Sequence, residues 1–177
     1  NKPKKEKINS SLIDNPPDID DSNFDRVVTY LRTLAQPAQR NANDPSVKRG
    51  NILFHKIGCA NCHTPSLRTG SDAAIDELKN QSIKPYTDLL LHDMGEDLAD
   101  GIQDSLASGS EWRTPPLWGI GLTKTVNGNT FFLHDGRARS IEEAILWHGG
   151  EGSESRKNYS SLSLDDKVDL LNFINSL

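Results

Sequence analysis

A mostly α fold with a long loop-rich insertion and one small β-hairpin is what the sequence predicts, on three observations. Apolar residues recur at helical spacing near both ends of the chain, helix-start and helix-stop residues bracket those stretches, and the region between His63 and Ser140 is irregular. A length of 177 residues suits one domain built on a single core.

Each element has its own signal. Residues 1–22 pass from a Lys-rich start through Pro16-Pro17 to Asp18, Asp20 and Asp21 with few apolar anchors, the composition of a tail or interdomain linker. The domain is therefore expected over residues 23–177. Phe24, Val27, Val28, Leu31 and Leu34 mark a first helix, with Ser22 or Asn23 as its cap. A second helix is expected after Asp44, with Pro45 at the first position, where a missing N–H costs least, and Ile52, Leu53 and Phe54 leading to Gly58.

Within the irregular region, Asn127-Gly128 separates Leu122–Val126 from Asn129–Leu133. An Asn-Gly pair suits positive φ at both central positions of a tight turn, so a hairpin is predicted there. Ser140, with Glu143 three residues on, caps a short helix over Ile141–His148 that Gly149-Gly150 ends. A last helix follows Ser163, with Asp165 and Asp166 in the first turn, where the helix dipole favours negative charge. Its expected buried face is Val168, Leu171, Phe173 and Ile174. There is no internal repeat.

Composition bounds the function. Hydrophobic residues are 34% of the chain and aromatics 6%, lean for a side-chain core, so a bound group that brings its own apolar surface fits this composition. The net charge is −5 and Lys2 to Lys7 is the single basic cluster, which argues against nucleic-acid binding. No apolar run approaches the about 20 residues of a membrane span. The first residue is an asparagine with no signal-peptide pattern behind it, so the chain is expected to be a processed or excised piece.

The two cysteines lie too close together to staple distant parts of a fold, so their role is local chemistry. Cys59-Ala60-Asn61-Cys62-His63 places two thiols one turn apart, a spacing that suits thioether bonds to the two vinyl groups of one heme. His63 then brings an imidazole under the iron. One covalent heme c follows, and with it a cytochrome c-like heme domain. The competing readings are a heme-free redox dithiol and a metal site. A tetrahedral zinc site needs two further ligands, and no second C-x-x-C or paired histidines supply them; a thioredoxin-like dithiol wants a βαβ unit, which is missing.

Gly50, Phe54 and Cys59 resemble the approach to the heme motif in the first helix of c-type cytochromes, with Gly50 allowing close approach of the terminal helix. An ordinary helix glycine, costing about 1 kcal/mol relative to alanine, is the plainer explanation of Gly50. Three longer stretches carry a more specific resemblance: Pro85 to Gly95 (PYTDLLLHDMG), Arg113 to Gly119 (RTPPLWG) and Leu133 to Arg139 (LHDGRAR). Over about residues 24–177 the chain resembles the diheme oxidoreductases related to bacterial cytochrome c peroxidase and MauG.

That resemblance implies several expectations. Family members carry two C-x-x-C-H hemes and this chain has one, so it corresponds to the C-terminal heme half of a longer protein. Its partners are then a second heme domain and an unidentified redox partner, and its role is electron transfer rather than peroxidase chemistry by the isolated chain. Heme attachment places it in the periplasm or cell envelope. The residue ending the helix after the His-Asp-Gly motif is a common distal ligand, which makes His148 the expected sixth ligand. Met94, the single methionine, is the runner-up, ahead of His92 or an open site.

Arg113, Arg137 and Arg139 are candidates to bind heme propionates, and Trp147, with Trp112 and Trp118, to pack against the ring. A calcium ion held by backbone oxygens around Asn129 to Phe131 is a further implication of the family. Two axial histidines would keep peroxide off the iron and favour electron transfer, whereas an open or vacated site would permit peroxide reduction or other oxidoreductase chemistry at this heme.

Overall fold

The computed structural model describes residues 18–177, so most of the expected tail lies outside the described residues. The chain divides into two compact units, one ending at Ala35 and one running from Gln36 to Leu177. The first holds helix α1 (Asp21–Thr33), capped by Asp20, whose carboxylate accepts the Asn23 N–H at 2.9 Å. The cap is thus Asp20 rather than Ser22 or Asn23; the aspartate, acceptor-only when ionised, takes the orphan donor.

The second unit is built on a pair of helices, α2 (Pro45–Lys56) and α6 (Leu164–Ser176). Asp44 caps α2 with Pro45 in its first turn, and Ser163 caps α6 by accepting the Asp166 N–H. Val47, Leu53 and Phe54 of α2 meet Leu170, Phe173 and Ile174 of α6 in the core. Gly50 sits at the crossing, where a Cβ would stand 2.0 Å from the Asp169 carbonyl oxygen. Beside it the buried Asp169 carboxylate takes two hydrogen bonds from Arg49, at 2.6 and 2.9 Å, and one from Ser46 at 2.5 Å. Arg49 and Ser46 hold that carboxyl below the usual aspartate range.

The buried face of α6 differs from expectation at two of its four residues, Leu171 being only half-buried and Val168 out of the core altogether. Val168 is exposed and Leu170 is fully buried, because the α2 contact lies one step round the helix from the stripe that Val168 starts.

Two shorter helices follow the insertion. α4 (Ile141–Trp147) is capped by Ser140, whose hydroxyl accepts the Glu143 N–H as the spacing predicts. α5 (Ser153–Ser160) has no counterpart in the sequence reading. Its one buried residue, Tyr159, donates its hydroxyl hydrogen bond to Glu142 at 2.8 Å and so ties α5 to α4.

The insertion contains two small antiparallel pairs, β1 (Leu67–Arg68) with β2 (Ser82–Ile83), and β3 (Leu91–Asp93) with β4 (Glu111–Arg113). The mostly α class with a small antiparallel element is therefore what the chain adopts, but the element is not where Asn127-Gly128 placed it. Thr123–Asn127 forms the short helix α3, and Gly128, at φ 75°, is its left-handed C-cap. Glycine's access to positive φ serves a helix end as readily as a hairpin turn. Among the described residues no helix is long and apolar enough to cross a membrane.

Candidate functional site

The end of α2 delivers the chain into a single turn at Cys59–Asn61, entered through a left-handed Gly58. The Cys59 carbonyl accepts the N–H groups of both Cys62 and His63, so the five-residue motif winds as one compact turn. Both thiols are free. Burial pushes the Cys59 thiol up to about 12, and burial also raises that of Cys62, with the charges of Asp88 and Glu151 adding to it. Thiols held protonated are the reverse of the activated thiolate a redox dithiol needs.

His63 is fixed by the backbone of Tyr86, a loop residue whose side chain gives no sign of that role. Its Nδ1–H donates to the Tyr86 carbonyl at 3.0 Å. A carbonyl only accepts, so Nδ1 carries the proton and Nε2 keeps its lone pair for a metal. Thr87, fully buried, locks that loop: its N–H bonds the Thr64 carbonyl and its hydroxyl the Thr114 carbonyl. Phe54 stands 6.5 Å from the His63 ring and packs edge-on against Tyr86 and Phe173, joining the imidazole to the α2–α6 core.

His148 is the C-cap of α4. Its Nδ1–H donates to the Ala144 carbonyl at 2.7 Å, which likewise leaves Nε2 as the available lone pair. Burial lowers the pKa of both histidines, that of His63 to about 4. Neutral imidazole is the form that binds a metal. Two such donors with two free cysteines suit a heme on the chemistry of the donor set.

The same burial predicts an acid-sensitive fold. His63 titrates near 4 when folded and near 6.5 when exposed, so between those values the unfolded chain binds more protons. Stability falls as the pH drops through that window, by at most about 3 kcal/mol from this group. For the heme-free chain, in which His63 Nε2 is free to titrate, the denaturant midpoint is expected to be lower at about pH 5 than at about pH 7; an unchanged midpoint would contradict the buried neutral state.

His92 and Met94 differ in kind from His148. Both His92 nitrogens are engaged by carboxylates, Nε2 with Asp88 at 2.8 Å and Nδ1 with Glu151 at 2.9 Å. Glu151 foremost, and then Asp88, raises its pKa. A ring bonded at both nitrogens has no lone pair to offer iron. Met94 lies beside His148: a Cβ added at Gly152 would stand 3.3 Å from both the Met94 Cε and the His148 Cδ2.

Folding also brings ligands toward Cys62 that sequence spacing did not suggest. Ligand atoms of Cys62, Asp88 and His92 lie within 4.8 Å of one another. No local motif signals this, because the three come from the cysteine turn and a loop that β3 continues.

The remaining candidates separate. Arg137 pairs with Asp135 at 2.6 Å and lies over the Trp147 ring, 4.7 Å from its centroid, so these two predicted residues meet each other. Arg113 and Arg139 are exposed. Trp112 stacks on His134 at 3.6 Å and 11°, while Trp118 is exposed. Asn129 to Phe131 form the turn after α3, and Thr130 donates its hydroxyl to the Arg139 carbonyl.

A family profile described as "Di-haem oxidoreductase, putative peroxidase" matches residues 9–177, which takes in part of the segment expected to be a tail. No curated protein and no solved structure matches the chain. Since the match runs through nearly every residue, including the cysteine turn and both neutral histidines, this chain is a heme-related oxidoreductase domain and belongs to the di-haem oxidoreductase family.

Proposed function

We propose that the chain transfers electrons through one heme c, attached at Cys59 and Cys62, with His63 and His148 as axial ligands. The observation that carries this reading is the matched pair of imidazoles, each with Nδ1–H on a backbone carbonyl and Nε2 left to bind. The heme, once bound, supplies the one-electron couple. The protein's part is to hold the two rings in one tautomer each, keep them neutral by burial, and anchor His63 through Tyr86 and Phe54 to the helix pair. Two rigidly held ligands favour electron transfer, because little moves when the charge changes.

With one C-x-x-C-H motif in this chain, the second heme of the di-haem family belongs on a partnering domain, and this chain acts as its electron relay, corresponding to the C-terminal half of the longer protein. Covalent attachment puts the protein in the periplasm or cell envelope. A second reading, a divalent-metal center at Cys62, Asp88 and His92, would require His92 to give up one of its two carboxylate hydrogen bonds and is precluded by a thioether at Cys62.

Spectra of the matured protein separate relay from catalyst. A ferric low-spin spectrum that peroxide and cyanide leave unchanged is expected. Rapid change on adding peroxide would instead assign peroxidase chemistry to this heme.

A further inference from the structure

One imidazole links three short segments around the site. Glu151 accepts from His92 Nδ1 at 2.9 Å through one oxygen and from the Asp93 N–H at 3.0 Å through the other. On its far side His92 bonds Asp88 at 2.8 Å, and the other Asp88 oxygen accepts the Leu90 N–H at 2.9 Å. Charge-assisted bonds of this kind are the strong ones, and a ring held at both nitrogens cannot turn without breaking one.

The backbone meets at the same place. At Gly150, with φ 45°, a Cβ would stand 2.1 Å from the Asp93 carbonyl oxygen and 2.7 Å from the Gly95 nitrogen. The turn after His148 and the segment that carries Met94 are therefore fastened together. His148 itself lies beyond the last residue of α4, so the turn that follows helps to set where its ring stands.

We infer that Asp88, His92 and Glu151 form a positioning clamp that selects His148 over the adjacent Met94 as the iron's sixth ligand. Glu151 is its central positioning residue, since it alone bonds both the imidazole and the strand backbone from the turn that follows His148. This rests on the reading of His148 as a heme ligand. Without Glu151, His92 Nδ1 and the Asp93 N–H lose their acceptor, Asp88 alone holds the ring, and the turn is released. The Met94 sulfur or an external ligand then competes for the iron.

The test uses the full chain matured with heme, comparing wild type with Glu151→Ala, Glu151→Gln and His92→Gln. Wild type is expected to give a bis-histidine low-spin spectrum. In Glu151→Ala, a sulfur-to-iron charge-transfer band or a high-spin fraction is expected, with a higher reduction potential. Added cyanide should enter that variant at least about tenfold faster, the factor that even one of its two lost hydrogen bonds to a charged group amounts to. Glu151→Gln keeps one acceptor oxygen and should recover most of the wild-type behaviour.

Wild-type spectrum, potential and cyanide rate in Glu151→Ala would overturn the clamp. If Glu151→Ala fails to fold, His92→Gln carries the comparison: the same shifts support the clamp and wild-type behaviour overturns it. A wild-type protein without a bis-histidine spectrum would overturn the His148 assignment first, and the clamp with it.

Discussion

Replacing His148 with alanine is expected to convert essentially all of the ferric heme from low spin to high spin. Nothing else equivalent stands ready: among the described histidines His92 has both nitrogens on carboxylates, and only His63 shares the Nδ1-to-carbonyl arrangement of His148. The vacated position would then admit cyanide or imidazole. Optical and electron paramagnetic resonance spectra read the result directly. If His148→Ala stays low spin, the ligand is another side chain, and Met94, which borders the same point as the His148 ring, is the first to replace in turn.

The second large effect belongs to the fold. Gly50→Ala gains about 1 kcal/mol in helix propensity, so an exposed site would be stabilised by the change. At this position the new Cβ would lie 2.0 Å from the Asp169 carbonyl oxygen and 2.6 Å from the Phe173 Cβ. Backbone sets the first of those contacts, and α2 and α6 must move apart to relieve it. Overpacking costs about 1–3 kcal/mol and a clash against backbone falls at the upper end, so the clash wins and a net loss of about 2 kcal/mol is expected in denaturant unfolding. Stabilisation instead would mean that the helices cross less closely at Gly50.

Separation also weakens the site, because Phe54 and Phe173 buttress His63 through the same crossing. A Gly50→Ala protein that does fold should hold its heme less firmly.

Much of this was legible locally. The caps at Asp44, Ser140 and Ser163 sit where side-chain oxygens can reach the N–H groups two or three residues on, and all three helices start there. The close approach at Gly50 was legible too, as a cytochrome-like glycine. Helix α5 was not, because Ser153–Ser160 carries a single buried side chain, Tyr159, and its packing partner Glu142 lies on another helix. Asn127-Gly128 misled because the dihedral preference of glycine does not say whether a helix or a strand precedes it.

At the site, the cysteine turn was visible and its supports were not. Tyr86 reaches His63 through a backbone carbonyl, an interaction that residue identity does not encode. His92 was a reasonable ligand candidate by type, but Glu151, 59 residues away in sequence, decides its state. The ring's availability depends on tertiary structure alone.

The central claim, that Cys59 and Cys62 carry one covalent heme, is tested most directly by intact mass of the chain expressed with a cytochrome c maturation system. The mass should exceed that of the polypeptide by one heme, survive acid extraction, and fall back to the bare chain when both cysteines are changed to alanine. A mass without heme from a host that matures other c-type cytochromes, or heme that extracts freely from the wild type, would contradict the account.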